Sequence, residues 1–255
     1  MDDDTTKAKQ SYSTMTVGKA QERVGIKIDL LYHNAIPVKT MLDGAQYTLE
    51  GLDPDVISKT KEAVYEMLLR HVAVEGYPGD TLGYTESNVK DLVYGILCPV
   101  IYDFTRHHNR QEATRRLLYL RREKEIISLD KETGGRGEFV VLDLIGISAN
   151  DNYVLVVVEA KRSNLVEAMK QCLLAMYDMW KINGRGFLYG FVTTGEDWRM
   201  LTYDGKEFAM TRKFSILFDG FQENKELWMK NYSILINCMY VALRNGGIVD
   251  NDMVV

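Results

Sequence analysis

Two apolar runs, residues 139–147 and 153–158, carry the strongest pattern in the chain, and Ser148-Ala149-Asn150-Asp151-Asn152 separates them. β-Branched runs on either side of an Asn/Asp cluster predict a hairpin of two buried strands. With the turn centred near Asn150 and Asp151, paired residues should have numbers summing to about 301–303, which sets Asp143 opposite Glu159. Opposed residues share a face, and Lys161, two residues further on, points the same way.

Helical spacing marks three longer segments. Asp53-Pro54-Asp55 is a start signal, with Asp53 as N-cap and proline in the first turn. The helix it opens runs to about residue 71, with Ile57, Val64, Met67 and Leu68 on one face and His71 at its end. A second helix is predicted over about 85–104, with Glu86, Val89, Val93, Ile96, Leu97 and Val100 in one stripe. Pro99 should kink or shorten it. A third runs from about Asn164 to Trp180, with Leu165, Met169, Cys172, Leu173 and Met176 inward.

Around these lie weaker signals. Ile26, Ile28 and Leu30 alternate as a strand over 25–31 would. A strand within 120–129 is expected to pair with 137–145, with Gly134-Gly135-Arg136-Gly137 as the turn between them. Residues 187–193 and 198–203 form a strand pair, 208–218 a further strand, and about 223–244 a final helix that stops at Gly246-Gly247. Residues 1–23 are polar and aperiodic, as a loose arm would be. Residues 24–75 read as an N-terminal extension or small lobe, and 76–255 as the main domain.

Composition narrows the class only slightly. The 255 residues are 46% hydrophobic and 26% charged, ordinary for an α/β globular chain. A net charge of −5 gives no general attraction for nucleic acid, so any phosphate-binding surface must be a local basic patch. Cys98, Cys172 and Cys238 are far apart and lack metal-site spacing, which fits free thiols in a reducing compartment. No apolar run reaches membrane-spanning length, so nucleus or cytoplasm is the expected location.

The charged end of the hairpin changes the picture. Asp143 and Glu159 offer hard oxygen ligands for Mg²⁺ or Mn²⁺, and Lys161 could orient or deprotonate a water. The same groups would equally make a salt-bridged strand end without chemistry. Asp followed by a hydrophobic strand bearing Glu159-Ala160-Lys161 resembles the signature of the PD-(D/E)XK nuclease superfamily, with Leu142 where that signature has proline. The resemblance spans roughly residues 84–205, and the predicted element order there matches the superfamily's αβββαβ core.

The resemblance implies a restriction-endonuclease-like fold over 76–255, with a central mixed sheet flanked by helices and a C-terminal helix added. It also implies a metal-dependent nuclease acting on DNA or RNA. Asp143, Glu159, Lys161 and Gln171 would be catalytic, and Glu86, Asp143, Glu159 and the Ala160 carbonyl would hold Mg²⁺ or Mn²⁺. The segment around VVVEAK and YGFVTTGEDWRMLTYDG also looks like fungal proteins and the nuclease-like C-terminal domains of Crinkler-type effectors. Arg115, Arg116, Arg121 and Arg122, interleaved with Leu117, Leu118, Tyr119 and Leu120, make the best candidate for tracking phosphates. A solvated face accounts for them equally well. The alternative function is an inactive nuclease-like fold that binds nucleic acid or protein, and the apolar C-terminal helix suggests a homodimer.

Overall fold

The computed structural model describes residues 8–78, 83–108, 116–143, 152–159, 165–184 and 186–248, without the side chains of 158 and 159. One mixed sheet organises the chain, and helices cover both of its faces. Its central meander is β2 (Leu118–Ile127), β3 (Thr133–Asp143) and β4 (Asn152–Glu159), each antiparallel to the next. Helix α6 (Leu165–Asn183) then crosses over, and β5 (Leu188–Thr193) lies parallel to β4. A parallel neighbour needs such a crossover, and here the helix supplies it. β6 (Asp197–Tyr203), β7 (Phe208–Met210) and β8 (Phe214–Ser215) extend the sheet beyond β5.

At the N-terminus the loose arm expected over 1–23 is, from residue 8 onward, ordered structure. β1 (Gln10–Ser11) pairs in parallel with Thr133 and Gly134, and α1 (Val17–Val24) packs against α6. Thr16 caps α1 by accepting from the Lys19 amide. The strand expected over 25–31 is instead α2 (Ile28–His33), where Ile28 and Leu31 are buried at helical spacing. α3 (Val38–Asp43) follows, and then α4 (Pro54–Glu75), capped by Asp53 as its sequence predicts.

α5 (Glu86–Asp103) also begins where expected, with Thr85 and Asn88 forming a capping box. Pro99 does not end it, and a π-helical turn at Phe104–His108 carries the chain on. The final helix is broken. A short α7 (Lys225–Leu227) and a π-helical turn at Trp228–Tyr232 precede α8 (Ile234–Asn245). The apolar side chains of α8 that suggested a dimer face, among them Leu235, Ile236, Met239 and Leu243, are buried within the chain.

Two cores result. On one face α4, α5 and α8 pack on Phe139, Val141, Leu155, Val157 and Phe191. On the other, α1, α2 and α6 pack on Val140, Leu142, Val156, Val192 and Leu201. Alternate residues of each central strand feed opposite cores, which explains why the runs read as continuous apolar stretches. The glycine run is not a turn. Gly134, Gly135 and Gly137 lie inside β3, and a Cβ on Gly135 would sit 2.2 Å from Tyr12 Cδ2. Glycine is needed there because the Tyr12 ring lies directly on the strand.

Candidate functional site

Asp143 does not face Glu159. In the observed register Phe139 pairs with Val157, Val141 with Leu155 and Asp143 with Asn152, so paired numbers sum to 295 or 296. Glu159 is seven positions beyond Asn152 along β4, roughly 23 Å at strand rise. Asp143 is therefore at the opposite end of the hairpin from Glu159. The turn expectation failed because the Asn/Asp cluster is not the middle of the connection. Asn152 is already the first residue of β4, and its side-chain amide donates to the Gly247 carbonyl at 3.2 Å.

Asp143 is occupied where it lies. It is 2% exposed and accepts from Arg116 Nε at 2.6 Å and from the Leu117 amide at 3.1 Å. Arg116 also donates to the carbonyls of Leu243 at 2.6 Å and Gly246 at 2.5 Å. A guanidinium there satisfies the last carbonyls of α8 and complements its negative end. This buried pair fastens β3 to α8. Both residues are corrected accordingly, since neither Asp143 as a metal ligand nor Arg116 as a phosphate contact fits such burial.

Continuing the same register one residue past Phe139 sets Glu138 opposite Val158, not opposite Glu159. Glu138 is half-buried. Its charge is felt by Cys172 on α6, whose thiol burial pushes up, and by Lys90 on α5. The sequence does carry a signal for it. Glu138 is the acid immediately before the apolar run, whereas Asp143 lies inside that run.

Glu159 ends β4 and is in register with Thr193, the last residue of β5. Both strands run toward this end of the sheet, and α6 starts there. The outer ends of adjacent parallel strands are where open α/β sheets place their ligands. The Glu159 side chain, Ala160, Lys161 and Arg115 lie outside the described residues.

The remaining predicted residues divide between the two faces. Glu86, in the first turn of α5, pairs with Lys90 at 3.1 Å, and Lys90 also reaches Glu123 on β2 at 3.3 Å. Those acids raise the Lys90 pKa against the lowering effect of burial. Gln171 donates to Glu167 at 3.1 Å, and Glu167 pairs with Lys170 at 2.5 Å. Lys170 is 2% exposed and also donates to the Met15 carbonyl at 2.6 Å. Gln171 lines a cleft of about 390 Å³ with Ser13, Gly135, Arg136 and Glu125, so the N-terminal segment forms one of its walls.

Leu165, expected inward, is 43% exposed. Arg121 and Arg122 are on β2. Arg121 lies over Tyr119 at 5.2 Å, while Arg122 lies over Tyr94 at 5.1 Å and faces Asp91 at 3.6 Å. Among the described residues, no three metal-ligating side chains gather into one cluster. No described helix is long and apolar enough to cross a membrane.

Fold and site together define an α/β chain with an open mixed sheet and an acidic strand end beside a parallel-strand crossover. No protein-family model matches this chain, and no curated protein matches it.

Proposed function

We propose that this chain is a metal-dependent nuclease of the PD-(D/E)XK type, with Glu86, Glu159 and Lys161 as its central residues. The observation that carries the reading is the succession α5, β2, β3, β4, α6, β5, with β4 and β5 parallel and Glu159 at the outer end of β4. That succession agrees with the αβββαβ order that the resemblance implies, which supports the reading. The register leaves Asp143 at the other end of the hairpin.

Two carboxylates, one from β4 and one from α5, are a donor set suited to Mg²⁺ or Mn²⁺. Such a cation, when bound, neutralises phosphate charge and acidifies water. Glu159 would hold it with Glu86, from the first turn of α5. Lys161, two residues past Glu159, orients the attacking water and offsets negative charge developing on the phosphate. Gln171, held by Glu167, lines the adjoining cleft.

A second reading, a nucleic-acid-binding module without catalysis, draws on Arg121 over Tyr119 and Arg122 over Tyr94, two exposed arginine–tyrosine pairs on β2 and α5. The two readings separate in a cleavage assay on single- and double-stranded DNA and RNA with Mg²⁺, Mn²⁺ or EDTA. Glu86→Ala and Glu159→Ala should each reduce metal-dependent cutting by about a hundredfold or more while leaving the melting temperature close to that of the parent. Asp143→Ala should instead cost about 3–5 kcal/mol of stability, because it strands Arg116 in the core. Cutting unchanged in both glutamate variants defeats the nuclease reading, and EDTA-resistant, salt-sensitive binding would then favour the module.

A further inference from the structure

The outer end of β5 borders a second cleft, of about 430 Å³, on the β5–β6 side of α6. Its volume falls in the range of sites that enclose a small organic molecule. Tyr32 of α2 and the exposed Leu165 at the start of α6 give it flat and apolar walls. Thr193 and Thr194 line it at the end of β5, and Thr193 is the register partner of Glu159.

Two cations complete the lining. Arg199 lies over the Tyr32 ring at 4.8 Å, and among the described residues it hydrogen-bonds only the Thr211 carbonyl, at 3.1 Å. Its planar guanidinium is thus oriented by stacking, with further N–H donors in its fork. Lys213 pairs with Asp197 at 2.8 Å, with 57% of the lysine side chain exposed. A pair so exposed is weak, and a phosphate can compete for the ammonium.

The acids in the lining have other partners. Asp197 accepts from Ser215 Oγ at 2.6 Å, and Glu196 accepts from the Tyr77 hydroxyl at 3.3 Å. Aromatic and aliphatic walls beside a guanidinium and an ammonium match one nucleotide, with its base on the walls and its phosphate on the cations.

We propose that this cleft binds a single unpaired nucleotide of the substrate strand, adjoining the phosphate at Glu159. The identification of the strand rests on the nuclease reading above; the nucleotide pocket itself does not. A base held in such a cleft cannot remain stacked and paired in a duplex, so the preferred substrate is single-stranded or frayed.

The test uses the full chain in EDTA, titrated calorimetrically with dAMP, and separately with deoxyadenosine and inorganic phosphate. Saturable dAMP binding is expected, stronger than that of either half, unchanged in Glu159→Ala and weakened about tenfold in Arg199→Ala or Tyr32→Ala. Lys213→Ala, at an exposed position, is the variant least able to disturb folding, and it should weaken dAMP and phosphate alike. Absence of dAMP binding by the parent protein overturns the proposal, as does binding unchanged in Arg199→Ala and Lys213→Ala. Cleavage that depends on Glu159 without dAMP binding would leave the nuclease reading standing and remove the pocket. Arg199-dependent dAMP binding without cleavage would do the reverse.

Discussion

Arg23 bridges two carboxylates whose environments pull them in opposite directions. Asp178 is fully buried on α6, accepting from Arg23 at 3.0 Å, Tyr12 at 2.9 Å and Thr133 at 2.7 Å, and burial pushes its carboxyl up. Asp130 is near the surface, where the Arg23 guanidinium, at 3.0 Å and 3.1 Å, holds it well below the usual carboxylate range. A depressed folded-state pKa contributes stability that is complete above the unfolded value of 3.8 and is lost as pH falls through the folded one. Asp130→Asn should therefore melt at a lower temperature than the parent at neutral pH. The gap should narrow as the pH is taken from about 5 to about 3, as linkage requires. Asp178 works with the opposite sign, so a gap that widens on acidification would mean that Asp130 is not the group responding.

Among the elements, α4, α5 and α6 and the strands β3 to β6 were legible, because each carries an apolar period long enough to fix its type. The cap at Asp53 marked one helix start to the residue. Register was not legible, since it depends on where a connection bends, and the Asn/Asp cluster is divided between that connection and β4. Nor was the fate of Asp143, whose partner Arg116 is 27 residues away in the chain. The glycine run misled for a similar reason. It is glycine-rich because Tyr12 packs across it, a contact between residues more than a hundred positions apart. Gly135→Val should therefore release β1 and residues 12–15 from the sheet, at a cost of about 1–3 kcal/mol for an overpacked contact. Faster exchange of the Lys9, Gln10 and Tyr12 amides, which donate to the carbonyls of Lys131, Glu132 and Gly134, would report it. Unchanged protection there would mean that Tyr12 does not anchor the segment.

For the molecule as a whole, the sequence suggested a nuclease-like domain at 76–255 preceded by an arm and a small lobe, whereas the cores join all three segments. Tyr12, Ala20, Val24, Ile28 and Leu31 belong to the core under α6. Ile57, Val64, Tyr65, Leu68 and Val72 belong to the one that α5 and α8 share. Tyr65 donates to the Phe221 carbonyl at 2.9 Å, and Thr60 meets the Tyr240 hydroxyl at 2.8 Å, so α4 is tied by buried hydrogen bonds to the C-terminal part of the chain. Removing residues 1–75 would uncover apolar surface on both faces of the sheet at once and strand those buried polar partners, costs of about 1–3 kcal/mol per lost hydrogen-bond partner on top of the exposed area. Net stabilities of whole domains are only about 5–15 kcal/mol, so the fragment 76–255 should not reach a native state. Expressed alone, it should lack the near-ultraviolet circular dichroism of packed aromatics and should bind a hydrophobic dye, while the full chain does neither. A fragment with sharp near-ultraviolet bands and a cooperative melt would instead establish 76–255 as an independent domain, and would make the N-terminal wall of the Gln171 cleft an accessory that catalysis can be tested without.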